Sequence, residues 1–301
     1  DIMTTGRQIS AAEAAKIGVI DVVQDGDPLE NGLAYVTDLL AKDAPRRPVS
    51  EIAAPEAIDW DAAYDAVLAR GRGQISPAQC VRAVQAGVEM PFSEGLAAER
   101  QIFTDLLKSD QSKGMIHSFF SERAVGRLPE LKGVKPRPLD HIGVIGGGTM
   151  GAGIATSALL SGLQVTLIEM TPAACEAAHG RIEGNLAGSL RRGKITAEQH
   201  ETILNETLTV TNDYADLSDA DLVIEAVFED MAVKKKVFIQ LDRVCKQGAI
   251  LASNTSYLNV DEIAAVTSRP QDVIGLHFFS PAHVMKLLEV VVAEKTAIDV
   301  V

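Results

Sequence analysis

The chain has 301 residues, a length that suits two domains, and its 28 basic against 41 acidic residues leave a formal net charge of −13. Hydrophobic residues make up 47% of it, enough for a sizeable core. The acidic balance and the scattered basic residues exclude the dense cationic surface that a phosphate backbone requires, and no apolar run reaches the roughly 18 residues of a membrane span.

Three widely separated cysteines, Cys80, Cys175 and Cys245, give neither a disulfide framework nor a metal spacing, and suit a reducing compartment. The chain opens without Met and without a basic-then-apolar leader, and stops shortly after an apolar run, so it is expected to be a segment of a longer protein.

In chain order, Ser10-Ala11-Ala12-Glu13 predicts a capping box before a short Ala-rich helix that Gly18 ends, with residues 19–23 extended after it. Pro45, Pro48 and Pro55 mark residues 43–59 as a linker. From 60 to 128, apolar residues recur at helical spacing, as in Trp60, Tyr64, Val67 and Leu68, then Val81, Val84 and Val88, then Leu96, Phe103 and Leu107. They predict three or four amphipathic helices that pack against a neighbour and carry no chemistry. Pro129, Gly133, Pro136 and Pro138 mark 129–140 as a second linker.

After it the pattern changes. Short apolar strands are predicted at 141–145, 165–168, 222–224, 249–252 and 273–276, separated by helical segments. That alternation defines an α/β fold, a doubly wound, mostly parallel sheet covered on both faces, preceded by an α-helical segment. The first strand runs into G-x-G-x-x-G with glycines at Gly146, Gly148 and Gly151. They suit a tight turn, backbone approach to a pyrophosphate, and close helix–sheet packing, with a helix N-terminus turned to the phosphates. Glu169 ends the next strand, 18 residues after Gly151. Its carboxylate can accept both ribose hydroxyls of NAD and would repel a 2′-phosphate, although a solvated strand-end charge would look the same. Strand, glycine turn, helix and strand together make this a Rossmann-like dinucleotide site.

Ligands of open parallel sheets sit beyond the carboxyl ends of the strands. Glu225 and Glu229, then Ser253-Asn254-Thr255-Ser256, then His277 follow three further strands and are expected to converge on the rim of the glycine turn. If 273–278 and 287–292 fold back antiparallel about residue 283, His277 lies opposite Glu289, an acid inside a Val/Leu run where an unpaired carboxylate is costly. Such a pair fixes the imidazole tautomer and makes a general base, and it equally suits a structural histidine held by a local charge. His283 is the rival base, without an acidic partner. No His/Cys/Asp/Glu cluster has metal spacing, and no G-x-S-x-G elbow is present.

The glycine turn with Met150, Ser253-Asn254-Thr255-Ser256, His277-Phe278-Phe279, Pro281 and Glu289 resemble the L-3-hydroxyacyl-CoA dehydrogenases over residues 139–295. Thr4-Thr5-Gly6-Arg7, Ser10 to Ala15 and Gly18-Val19-Ile20-Asp21 resemble the C-terminal end of a crotonase (enoyl-CoA hydratase) domain. The order is that of the bifunctional fatty-oxidation alpha subunits. The resemblance implies residues 1–28 as a crotonase end, 29–138 as a helical linker region and 139–301 as an NAD-binding domain, without the family's helical C-terminal domain. It further implies that Met150, Glu169, Val227, Phe228, Glu229 and Lys234 contact NAD. Asn254 and Ser256 would sit at the nicotinamide and the substrate hydroxyl, and His277, Glu289 and Ser256 would form the catalytic triplet. Ser280 stands where the family often has Asn, with shorter reach.

The implied substrate is a 3-hydroxyacyl-CoA. The implied parent also carries hydratase activity, is oligomeric and associates with a thiolase. A bacterial cytoplasm is the expected compartment, with a mitochondrion as the other option. Two readings stay open beside it, a 3-hydroxy acid dehydrogenase that does not use CoA and an NAD-binding fragment without turnover.

Overall fold

The computed structural model describes residues 2–52 and 58–301, so Pro55 of the first proline-marked stretch lies outside the described residues. The chain divides into two compact units, one ending at Gly126 and one running from Arg127 to Val301.

The first unit is helical among its described residues. Its elements are α1 (Ile2–Thr5), α2 (Ala11–Lys16), α3 (Pro28–Ala41), α4 (Trp60–Arg70), α5 (Ser76–Glu89), α6 (Phe92–Lys108) and α7 (Asp110–Ala124). The last four correspond to the helical stretch expected at 60–128. Ser10 caps α2 by accepting from the Glu13 N–H at 3.1 Å. The Glu13 carboxylate takes two bonds from Arg7, at 2.6 and 3.2 Å, because a guanidinium is a stronger partner for it than the backbone amide a capping box would supply. Residues 19–21 form bends and 22–23 are irregular, with no strand. Gly95 lets α6 approach α5, since a Cβ there would stand 2.7 Å from the Ala86 carbonyl oxygen.

The second unit is a seven-stranded sheet. Its strands are β1 (His141–Ile145), β2 (Gln164–Ile168), β3 (Leu208–Thr211), β4 (Leu222–Glu225), β5 (Ile250–Ser253), β6 (Val273–Phe278) and β7 (Leu288–Val291), in the order β3-β2-β1-β4-β5-β6-β7. Only the β6–β7 pairing is antiparallel. The helices α8 (Thr149–Leu160), α9 (Pro172–Arg191), α10 (Ala197–Thr202), α11 (Met231–Val244) and α12 (Val260–Ala264) connect them.

Successive strand residues point to opposite faces, and both faces are apolar, as a sheet covered on two sides requires. On one side Ile142 and Val144 pack with Ile154, Leu159, Ile182 and Leu186 of α8 and α9. On the other, Ile145, Val223 and Leu251 pack with Phe238, Leu241 and Ile263 of α11 and α12. The stretch read as a second linker belongs to this unit. Arg137 bonds Asp272 at 2.8 Å, Asp299 at 2.9 Å and the Gly248 carbonyl at 3.0 Å, and so fastens the approach to β1 onto the sheet.

Candidate active site

The strand register sets one level across the sheet. Thr211, Ile168, Ile145, Glu225, Ser253 and Gly275 are successive Cα partners from β3 to β6. The strand order reverses between β1 and β4, and at that switch a cleft of about 790 Å³ opens, lined by Gly146, Gly148, Met150, Glu169, Val227 and Phe228 among others.

Each glycine of the turn has its own reason. Gly146 turns the chain at φ +94°. A Cβ on Gly151 would lie 1.7 Å from the Gly146 carbonyl oxygen, so the helix can start this close to the turn only with glycine. A Cβ on Gly148 would meet nothing within 4 Å, so the fold itself leaves room there, and what that room serves is the cleft. Gly148 is also the N-cap of α8 and brings no side-chain bond to it, which leaves first-turn N–H groups for an anion.

Glu169, at the end of β2, accepts from the Gly147 N–H at 2.7 Å and from the Met170 N–H at 3.1 Å. The β2 carboxylate therefore touches the glycine turn directly. Residues that the sequence reading missed complete the cleft: Asn212 and Tyr214 after β3, and Val233, Lys236 and Val237 of α11. Burial, followed by the charges of Glu225 and Glu169, pushes the Tyr214 phenol up, so it stays neutral and able to donate. Their signal in the sequence was faint, because β3 itself went unread. The glycine turn, open helix end, β2 carboxylate and apolar wall fit a dinucleotide.

Two expected rim residues and one residue expected to contact NAD lie behind the cleft. Glu225 and Ser253 are fully buried at 0% exposure, and Lys234 is 1% exposed and does not line the cleft. The Lys234 ammonium bonds Glu225 at 2.7 and 3.0 Å and stands 3.2 Å from Glu229. A buried ammonium needs carboxylate partners more than it needs a place at the rim, and Lys236 is the lysine that faces the cleft.

Glu229 accepts from the Thr255 hydroxyl at 2.5 Å and from the Ser256 N–H at 2.8 Å. Burial pushes its carboxyl up, but the Thr255, Ser256 and Lys234 donors outweigh it and hold the group below the usual range. Asn254 accepts from the Phe278 N–H at 2.9 Å, which ties the loop after β5 to β6 beside His277. Ser256 and Ser280 are exposed, and neither lines the cleft.

His277 and Glu289 are register partners across β6 and β7, and Nδ1 lies 2.8 Å from the carboxylate. Phe279 tilts against the imidazole at 4.6 Å between centroids. The environment of Glu289 differs from the expected buried acid: its side chain is 54% exposed, against 20% for His277. The reason is that β7 is the sheet edge and all four of its residues are exposed. Desolvation therefore does not force this pairing; the register brings the two groups together. His283 has a buried Nδ1 with no hydrogen-bond partner. Burial, then the cations Arg192 and Lys194, lower its pKa, so it is a neutral imidazole with no acid to orient it. Among the described residues, no group of three or more His, Cys, Asp or Glu could hold a metal ion, and no helix is long and apolar enough to cross a membrane.

A doubly wound sheet with this cleft at its switch point and a His–Glu pair at the same edge is the dinucleotide-binding part of an oxidoreductase. The chain belongs to the 3-hydroxyacyl-CoA dehydrogenases: residues 141–301 match the NAD-binding domain of that family, and NAD is its cofactor. It is 40% identical over 301 residues to the peroxisomal bifunctional enzyme of Cavia porcellus, covering 97% of this chain and 41% of that protein. It is 34% identical over 314 residues to the glyoxysomal fatty acid beta-oxidation multifunctional protein MFP-a of Brassica napus, covering 100% of this chain and 43% of that protein. The chain thus spans about two fifths of these relatives' length. Among solved structures, 3-hydroxybutyryl-CoA dehydrogenase of Escherichia coli matches with 44% identity and a TM-score of 0.52, over 55% of this chain and 34% of that one. Relatives that match nearly the whole chain, among them those of Cavia porcellus, Danio rerio, Brassica napus and Arabidopsis thaliana, are named as peroxisomal or glyoxysomal, which overturns the expected bacterial cytoplasm. Nothing in composition or charge carried that information.

Proposed function

We propose that this chain is the part of a bifunctional β-oxidation enzyme that oxidises L-3-hydroxyacyl-CoA to 3-oxoacyl-CoA. The observation that carries this reading is the His277 Nδ1–Glu289 bond of 2.8 Å at the carboxyl end of β6, in the same row of strand ends as the glycine turn. With Nδ1 committed to the carboxylate, Nε2 is the nitrogen that takes the substrate hydroxyl proton. Glu289 orients the ring and stabilises the imidazolium, and the Ser256 hydroxyl orients the substrate oxygen by a hydrogen bond.

NAD, when bound, supplies the acceptor for the hydride leaving C3. Gly146, Gly148, Gly151 and the start of α8 would hold its diphosphate, and Glu169 its adenosine ribose. Met150, Val227 and Phe228 would line it, and Asn254 and Ser280 would stand toward the nicotinamide end. Residues 139–301 are assigned as the NAD-binding domain, 29–138 as a helical linker region and 1–28 as the end of a crotonase domain. The parent enzyme then also hydrates enoyl-CoA, forms an oligomer and associates with a thiolase.

The test is His277→Ala in the whole enzyme. NADH formation from a 3-hydroxyacyl-CoA should fall by at least ~100-fold, with enoyl-CoA hydration unchanged. Near-normal NADH formation overturns the role of His277. Equal turnover of the free 3-hydroxy acid overturns the CoA-dependent reading.

A further inference from the structure

The buried polar cluster behind the rim has no part in the proton transfer described above. Glu225 Oε1 accepts from Lys234 and from the Val227 N–H at 2.8 Å, and Oε2 accepts from Lys234 and from the Ser253 hydroxyl at 2.7 Å. Lys234 continues to Glu229 at 3.2 Å, and Glu229 holds the Thr255 hydroxyl and the Ser256 N–H. The main chain runs in parallel: the Asn254 N–H donates to the Glu225 carbonyl at 2.8 Å, and the Asn254 side chain accepts from Phe278 N–H.

These bonds join two loops with separate tasks. The loop after β4 lines the dinucleotide cleft through Val227 and Phe228. The loop after β5 carries Ser256 and meets β6 one residue beyond His277. Burying an ammonium and a carboxylate costs several kcal/mol each unless the pair is well bonded. An apolar pair would fill the same space without that cost. What the ionic pair adds is direction, because both oxygens of Glu225 are committed to named donors: the Val227 N–H on the loop after β4, Lys234 on α11 and the Ser253 hydroxyl at the end of β5.

We infer that Glu225 is a positioning residue for the dehydrogenase reaction: through Lys234 and Glu229 it sets the place of Ser256 relative to the dinucleotide cleft. The inference rests on the dehydrogenase reading of the site. Glu225 is fully buried and does not line the cleft, so its effect is confined to geometry. A shift of about 1 Å in a positioned group far from the chemistry can cost on the order of 100-fold in rate.

The experiment compares Glu225→Gln with the double variant Glu225→Gln/Lys234→Met. The double variant removes both fully buried charges, and Glu229, which loses Lys234, keeps its bonds from the Thr255 hydroxyl and the Ser256 N–H, so a cooperative fold is kept where the single variant fails to fold. Two readouts are taken. In this chain, amide hydrogen exchange should quicken about tenfold or more at Val227 and Ser256 while the amides of β1 and β2 keep their protection. In the whole enzyme, kcat with a 3-hydroxyacyl-CoA should fall about 10- to 30-fold with KM within about twofold, and the pH profile should keep its shape because His277 and Glu289 are untouched. Unchanged exchange at Ser256, unchanged kcat, or a uniform rise in exchange across the sheet overturns the positioning role. Absence of any 3-hydroxyacyl-CoA turnover by the unmutated enzyme overturns the dehydrogenase reading instead, and the positioning role with it.

Discussion

The two compact units of this chain handle apolar surface in opposite ways. From Arg127 on, the sheet buries a core on each face. In the first unit, the buried apolar side chains among the described residues are Ala14, Ala78, Val81 and Ala86. There Leu29, Leu33, Val36 and Leu40 line one face of α3 at 52–77% exposure, and α6 leaves Leu96, Phe103 and Leu107 half exposed or more. A sheet wound on both sides supplies its own cover, whereas an amphipathic helix is stabilised only when its stripe is covered. A site that needs groups held to a fraction of an ångström therefore belongs to the sheet unit.

The sharpest way to break that contrast lies in the glycine turn. Gly151→Ala would force a Cβ to within 1.7 Å of the Gly146 carbonyl oxygen, so NADH binding should be abolished and soluble yield should fall. Gly148→Ala, whose Cβ meets nothing within 4 Å, should leave the melting temperature unchanged and weaken NADH by about 10- to 100-fold. Paired NADH titrations and melts check both. Wild-type affinity in Gly148→Ala would place the dinucleotide elsewhere.

Separating the units sharpens the comparison further. Residues 127–301 alone should unfold cooperatively and bind NADH within about twofold of the whole chain, while residues 1–126 alone should melt broadly. A further effect, smaller than those of the glycine variants, is expected at the end of β2. Glu169→Ala should weaken NAD by about tenfold and reduce the bias against NADP, since the change removes both a ribose acceptor and the partner of the Gly147 N–H. An unchanged ratio of NAD to NADP affinity would count against the ribose contact.

The smallest effect concerns Cys245. Burial pushes its thiol from an ordinary value of 9.0 to about 11. A raised pKa means that the folded state holds the proton more tightly. The contribution to stability is then complete below pH 9.0 and is lost as pH rises through about 11. At pH 8, iodoacetamide should label the partly exposed Cys80 and Cys175 and reach Cys245 only in denaturant. Prompt labelling of all three would show that the second unit opens far more readily than its core implies.

The sheet unit was the more legible of the two in the sequence, and for the same reason. Short apolar strands such as 141–145 stand out because both of their faces must be buried. The strand at Leu208–Thr211 did not, since it is a four-residue edge alternating Leu and Val with Thr. The glycine turn and Glu169 could be read because each carries a local constraint. The pairing of His277 with Glu289 could be read because antiparallel register is arithmetic. The true surroundings of Glu289 could not, because nothing local marks β7 as the sheet edge. Lys234, expected at the cofactor from the resemblance alone, could not be placed from the sequence, because only the packed structure shows it bonded to Glu225 behind the cleft.

The cleft between β1 and β4 is expected to hold NAD with the His277 imidazole turned toward the reacting ring. A crystal structure with NADH bound tests it most directly. The Glu169 carboxylate should lie on the adenosine ribose, the diphosphate over Gly148, and His277 Nε2 on the nicotinamide side. A dinucleotide seated away from the glycine turn, or an imidazole facing away from the nicotinamide, would contradict it.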